Sequence, residues 1–141
     1  MQSLDRALLV GSWRRGFGLV GGYAVVAAAV IVASVALGRP IESVGAAILL
    51  FYGPGLAATI GVYARCGVPA GLAVGAVPIA VVTALGALGN AFGFDELAIG
   101  NGDSTFVAIA LGFAVTGLAI AAIGTGFGIA ARAAADRARD R

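Results

Sequence analysis

Four long stretches of this chain contain no charged residue, at about residues 16–37, 44–64, 70–93 and 105–131. Each holds twenty or more residues, the length that an α-helix needs to cross a hydrocarbon layer about 30 Å thick. Each is also apolar on every side of the helix, which leaves no polar face for water. We therefore expect an all-α polytopic membrane protein, a four-helix transmembrane bundle with short loops that forms a single four-span domain over residues 1–141.

The composition supports this class, because 60% of the residues are hydrophobic and only 11% are charged. The chain has no histidine, so neither a serine–histidine nor a cysteine–histidine catalytic pair can form. The single cysteine, Cys66, cannot form an intramolecular disulfide, and an inert thiol is a simpler interpretation than a lipidated one. We expect no catalytic site, no metal or cofactor site and no nucleic-acid binding.

The basic residues are all arginine, and their distribution predicts the orientation. With four spans, the segment 1–15, the second connection and the tail 132–141 share one side of the membrane. That side holds eight arginines and the other side holds only Arg39. The eight are Arg6, Arg14, Arg15, Arg65, Arg132, Arg137, Arg139 and Arg141. By the positive-inside rule, both termini of this multi-pass protein are cytoplasmic, in the plasma membrane. Its expected partners are the lipid bilayer and either a second copy or a membrane partner subunit.

The first apolar stretch allows a second interpretation. Arg14 and Arg15 precede it and Ser34-Val35-Ala36 lies near its end, an arrangement similar to a cleaved export signal. The stretch is longer than a usual signal core, and three further apolar stretches follow it. These features favour a membrane span that Trp13, Arg14 and Arg15 anchor at the headgroup layer.

Turn-forming residues predict short connections, so that consecutive helices are antiparallel. Gly38-Arg39-Pro40 ends the first helix, Cys66–Pro69 forms a tight turn, and Phe94–Ser104 is the longest connection. That last connection contains Asp95, Glu96, Asn101 and Asp103. Their oxygens would suit a divalent cation, although an exposed acidic loop is more often simply solvated.

The fourth helix is expected to continue past the membrane through Asp136. Arg132 and Asp136 are four residues apart, so their side chains can pair across one turn. The arginine-rich tail 132–141 would suit anionic lipid headgroups, but its role in setting the topology already accounts for it.

Small residues recur at steps of three and four in the third stretch, which places them on one helix face. They are Gly71, Gly75, Pro78, Val82, Gly86, Gly89 and Gly93. Similar faces are formed in the fourth stretch by Ala110, Ala114, Gly117, Ala121, Gly124 and Gly128, and in the first by Gly18, Gly22, Ala29 and Ala33. Small residues let helix backbones approach closely in lipid, so we expect a packing seam rather than a substrate path.

Two prolines interrupt the central hairpin. Gly53-Pro54-Gly55 falls near the middle of the second stretch and Pro78 within the third. Such a break exposes carbonyls that can coordinate an ion in carriers, but most prolines in membrane helices only kink them. The polar residues near these kinks are Tyr52, Thr59, Thr83 and Asn90.

Two classes of function follow. The first is a non-enzymatic structural or partner-binding membrane component. The alternative is a small oligomeric transporter or channel with its path near Pro54 and Pro78. The spans lack the ionisable residues by which ion-coupled carriers work, which favours the first class. The residues that would form a polar path or a packing seam are Tyr52, Pro54, Thr59, Pro78, Thr83, Gly86, Gly89 and Asn90.

Overall fold

The computed structural model describes residues 11–37, 48–93 and 104–139, and this part of the chain is helical throughout apart from turns. Within these ranges four α-helices follow one another, and a short π-helical segment, Ile48–Tyr52, runs directly into the second of them. The helices are α1 (Trp13–Ala36), α2 (Gly53–Tyr63), α3 (Val68–Phe92) and α4 (Ser104–Arg139). The predicted all-α class is confirmed.

Three of these helices are long and apolar enough to cross a membrane. They are α1, α3 and the part of α4 from Leu111 to Arg139. Their charge-free cores coincide with the first, third and fourth stretches of the sequence, and they indicate a membrane protein. The remaining helix, α2, has 11 residues, fewer than a membrane span needs, so the described residues support three of the four expected spans.

The second stretch departs from the expected single kinked α-helix. Its described part is the π-helical segment followed by α2, and Pro54 lies in the first turn of α2 rather than in mid-helix. Proline is tolerated at that position because the first N–H groups of an α-helix have no partner within the helix. Pro78, in contrast, does lie inside α3, where it is buried.

The helices pack around α3, which contacts the other three. The most extensive packing joins α4 to α2 and α4 to α3, while α1 lies mainly against α3. The interior is built from small apolar side chains. The buried members are Ala27, Ile31, Ala58, Val62, Val74, Val77 and Ala121.

A tight turn connects α2 to α3, as the sequence predicts. Arg65 takes a left-handed backbone conformation at φ 65°, and Gly67 follows at φ 90°. The N-terminus of α1 is attached to this turn, because the N–H of Ser12 donates to the carbonyl of Arg65 at 3.2 Å. Arg15, at the start of α1, is thereby held beside the turn that carries Arg65.

The prediction that the small-residue face of α1 packs against its neighbours is wrong. Gly18, Gly22, Ala29 and Ala33 are all exposed, and the buried residues of α1 are Gly16, Ala27 and Ile31. The face that packs is set by the neighbouring α3, and alanine or glycine occurs on more than one side of this helix.

At the other end of the chain, α4 continues past the apolar stretch to Arg139. The expected pair is present, with Arg132 Nε 3.8 Å from Asp136 Oδ2. The first and third connections lie outside the described residues, as do the candidate cation ligands Asp95, Glu96, Asn101 and Asp103.

Candidate functional site

Thr59 is a candidate polar residue that reaches between two helices. Its hydroxyl lies 2.8 Å from the carbonyl oxygen of Gly55, one turn earlier in α2, and 2.9 Å from the carbonyl oxygen of Gly124 in α4. A hydroxyl has a single proton to donate, so the two carbonyls share it. Thr59 therefore connects α2 to α4 through a hydrogen bond.

The other three polar candidates, Tyr52, Thr83 and Asn90, are exposed, whereas Thr59 is half-buried. The hydroxyl of Thr83 donates to the carbonyl of Ile79 in its own helix at 2.8 Å. The hydrogen bond of Thr83 therefore stays within α3.

Beside Thr59, the backbones of α2 and α4 are in direct contact. A Cβ atom added to Gly124 would fall on the carbonyl group and Cα of Gly55. One turn further along, a Cβ on Gly128 would lie 2.7 Å from the carbonyl oxygen of Thr59 and 2.9 Å from Cβ of Val62. Only glycine fits at either position of α4 without moving the helices.

A second close approach joins α3 to α4. A Cβ on Gly117 would fall on the carbonyl oxygen of Gly75, and a Cβ on Gly75 would lie 2.9 Å from Cβ of Ala121. Nearby, Gly71 faces the hydroxyl of Thr125, which is buried and has no hydrogen-bond partner among the described residues. No pattern in the sequence distinguishes Thr125 from the other hydroxyl residues of the spans.

The remaining candidates on α2 and α3 are buried. Pro54 is almost completely enclosed, and Pro78, Gly86 and Gly89 are buried along α3. Gly93, the last residue of the predicted seam, instead ends α3 in a left-handed conformation at φ 71° and is exposed.

Tyr23 of α1 makes a polar contact with the π-helical segment, and the sequence did not predict it. Its hydroxyl donates to the carbonyl of Leu49 at 2.6 Å. In a π-helix this carbonyl would accept from the N–H five residues later, but that residue is Pro54, which has none. A Cβ on Gly53 would lie 2.5 Å from the Tyr23 hydroxyl, so glycine at this position makes room for the contact.

Two clefts lie at the end of the bundle that carries the described arginines. The first, which we call the arginine cleft, has a volume of about 230 Å³. Its polar lining residues are Arg15, Tyr63, Arg65, Arg132, Asp136 and Arg139. The second is an apolar groove of about 380 Å³ between the first turns of α1 and α3. Neither is lined by Tyr52, Thr59, Thr83 or Asn90.

The fold and these contacts define a helical protein with three candidate membrane spans. Within the described ranges, no three residues among histidine, cysteine, aspartate and glutamate are grouped so that they could hold a metal ion. Comparisons with protein-family models, with curated proteins and with solved structures found no match to this chain.

Proposed function

We propose that this protein is a non-enzymatic integral membrane component with a structural or partner-binding role. In this proposal it is a four-span bundle of the plasma membrane with both termini in the cytoplasm, and its protein partner is a second copy or another membrane subunit. The observation that carries the proposal is the position of Thr59. Its hydroxyl, one of the candidates to line a polar path, donates to carbonyls of two packed helices instead.

Glycine-dependent packing is the second part of this proposal. Lipid tails are as apolar as the helices, so association in a membrane depends on close van der Waals contact and interhelical hydrogen bonds. The contacts of Gly55 with Gly124 and of Gly75 with Gly117 are of this kind. Two such contacts, about two turns apart on one face of α4, would hold α2 and α3 against it.

One observation favours the alternative, a small oligomeric transporter or channel. The second stretch is π-helical over Ile48–Tyr52, directly before Gly53-Pro54-Gly55. Such π-helical turns are frequent at functional sites. In carriers, the carbonyls that such a break exposes coordinate ions. Here the carbonyl of Leu49 accepts from Tyr23 and that of Gly55 from Thr59, which supports a structural role for the break.

Accessibility to water distinguishes the two functions. In a Cys66→Ser background, Thr59→Cys should resist a small water-soluble thiol reagent, because the proposed bundle is dry at that depth. Arg65→Cys, in the exposed turn, should react and is the positive control. Rapid modification of Thr59→Cys would favour a transport path.

A flux assay tests the function itself. Liposomes that contain the purified protein should pass protons, monovalent ions and halides no faster than empty liposomes. A flux that depends on the protein and that Thr59→Val or Pro54→Ala alters would refute the proposed structural role.

Labelling in intact cells tests the proposed topology. In the Cys66→Ser background, a membrane-impermeant thiol reagent should not reach Arg137→Cys, because the arginine-bearing end is proposed to be cytoplasmic. Leu37→Cys, at the opposite end of α1, should react. The reverse pattern would show that the orientation is inverted.

A further inference from the structure

The arginine cleft is strongly basic. Its lining contains four arginines, Arg15, Arg65, Arg132 and Arg139, but a single carboxylate, Asp136. These residues come from the start of α1, the turn after α2 and the end of α4, so the fold brings together charges that are far apart in sequence. Arginine guanidinium groups suit phosphate because they present planar, paired N–H donors.

Arg132 is the buried arginine of the cleft, whereas Arg15, Arg65 and Arg139 are exposed. Its side chain is only 9% exposed, and its contact with Asp136 is long, at 3.8 Å. Its Nη1 atom is buried and has no hydrogen-bond partner within the part of the chain that the structure describes. Burying a guanidinium without hydrogen-bond partners for all its N–H groups costs free energy. An acceptor bound in the cleft would reduce this cost.

The rim of the cleft is held in place by the backbone. Arg65 adopts a left-handed backbone conformation. At the ends of helices this conformation is usually taken by glycine and sometimes by asparagine. Its N–H donates to the carbonyl of Val62, and its carbonyl accepts from Ser12 at the start of α1. The turn that carries Arg65 is thus attached to the start of α1, and Arg65 and Arg15 line the cleft together with Arg132 and Arg139 of α4.

We propose that the arginine cleft is a binding site for a phosphate group, with Arg132 as its innermost ligand and Arg15, Arg65 and Arg139 around it. The phosphate belongs to an anionic phospholipid headgroup or to a small soluble phosphate compound. The site goes beyond the proposed structural role and does not depend on it.

Melting of the purified full-length protein in a neutral detergent tests the site, with the fluorescence of Trp13 as the readout. Inorganic phosphate is titrated at constant ionic strength against chloride. In parallel, phosphatidylglycerol is added to the micelles against equal amounts of phosphatidylcholine. A ligand that binds only the folded protein raises the melting temperature. We expect stabilisation with at least one probe, and which probe acts identifies the source of the phosphate.

Two pairs of variants with equal net charge locate the effect. Arg132→Gln and Arg15→Gln remove cleft ligands, whereas Arg137→Gln and Arg14→Gln remove exposed arginines that do not line the cleft. The cleft variants should need about tenfold more probe for the same stabilisation, and their matched controls should behave like the parent. If Arg132→Gln does not fold, the Arg15 pair gives the answer alone, since Arg15 is exposed.

Two results would overturn the proposal. The first is no stabilisation by either probe. The second is equal loss of stabilisation in the cleft variants and their matched controls, because that would reflect general attraction to a basic surface rather than a site.

Discussion

Replacing Gly124 with alanine should separate α4 from α2. The added Cβ would lie 2.8 Å from both the carbonyl carbon and Cα of Gly55, and closer still to its oxygen. Ordinary contact begins near 3.4 Å. Because the obstructing atoms are backbone, no side chain can rotate away, and the two helices must move apart.

The expected cost has two parts. Overpacking of this kind typically destabilises by about 1–3 kcal/mol. Separation of the helices also weakens the hydrogen bond from Thr59 to the carbonyl of Gly124, and such interhelical bonds contribute about 0.6 kcal/mol on average in membranes. We therefore expect Gly124→Ala to lower the free energy of unfolding by about 1–3.5 kcal/mol relative to a glycine-to-alanine change without a clash.

Gly126→Ala supplies that reference. Gly126 lies two residues further along α4, is exposed, and has no atom within 4 Å of the position its Cβ would take. Both substitutions gain the same helix propensity, up to about 1 kcal/mol, so this contribution cancels between them. The measurement is unfolding by sodium dodecyl sulfate in mixed micelles, followed by circular dichroism. Equal unfolding midpoints for the two variants would refute the close contact of α2 with α4.

Two further pairs of variants use the same assay. Tyr23→Phe removes the donor to the carbonyl of Leu49 and should cost about 1 kcal/mol, whereas Tyr52→Phe, at an exposed position, should be neutral; equal effects would show that the Tyr23 contact contributes nothing. Gly86→Leu inserts a large side chain on the buried face of α3 and should cost about 1–3 kcal/mol, whereas Ile79→Leu conserves volume and should be nearly neutral. An unchanged midpoint for Gly86→Leu would mean that this face is not packed.

The sequence predicts where the long helices lie, because the absence of charge over about twenty residues is a strong signal. Their ends are less well predicted. The first helix begins at Trp13 and includes Arg14 and Arg15, before its apolar stretch, whereas the fourth continues through Asp136 as expected and ends at Arg139. Arginine is a good helix former, so a helix can continue beyond the apolar stretch that reveals it.

The face on which a helix packs could not be derived from the spacing of small residues alone. In α3 and α4 the predicted faces include the buried Gly75 and Gly124, but in α1 the predicted Gly18 and Gly22 are exposed. Glycine and alanine are so frequent here that several faces of a helix satisfy the same spacing. Only the position of the neighbouring helix decides among them.

The arginine cleft was also beyond the sequence analysis. Counting arginines predicts which side of the membrane they occupy, but not that Arg15, Arg65 and Arg132 converge. Their convergence depends on the left-handed turn at Arg65 and on the attachment of Ser12 to it. Neither backbone feature can be predicted from the residue pattern. The left-handed turn in particular is unexpected, because arginine rarely adopts that conformation.

The irregular second stretch shows how a motif typical of transport can be accounted for by packing. Pro54 removes the N–H that the carbonyl of Leu49 would otherwise accept from, and Tyr23 replaces that donor from α1. Gly53 leaves the space that the tyrosine needs. On the other side of the proline, a Cβ on Gly55 would lie 2.8 Å from the side chain of Ile120 in α4. Gly53, Pro54 and Gly55 are thus each linked to a contact with a neighbouring helix. This supports the interpretation that the motif serves helix packing rather than ion binding.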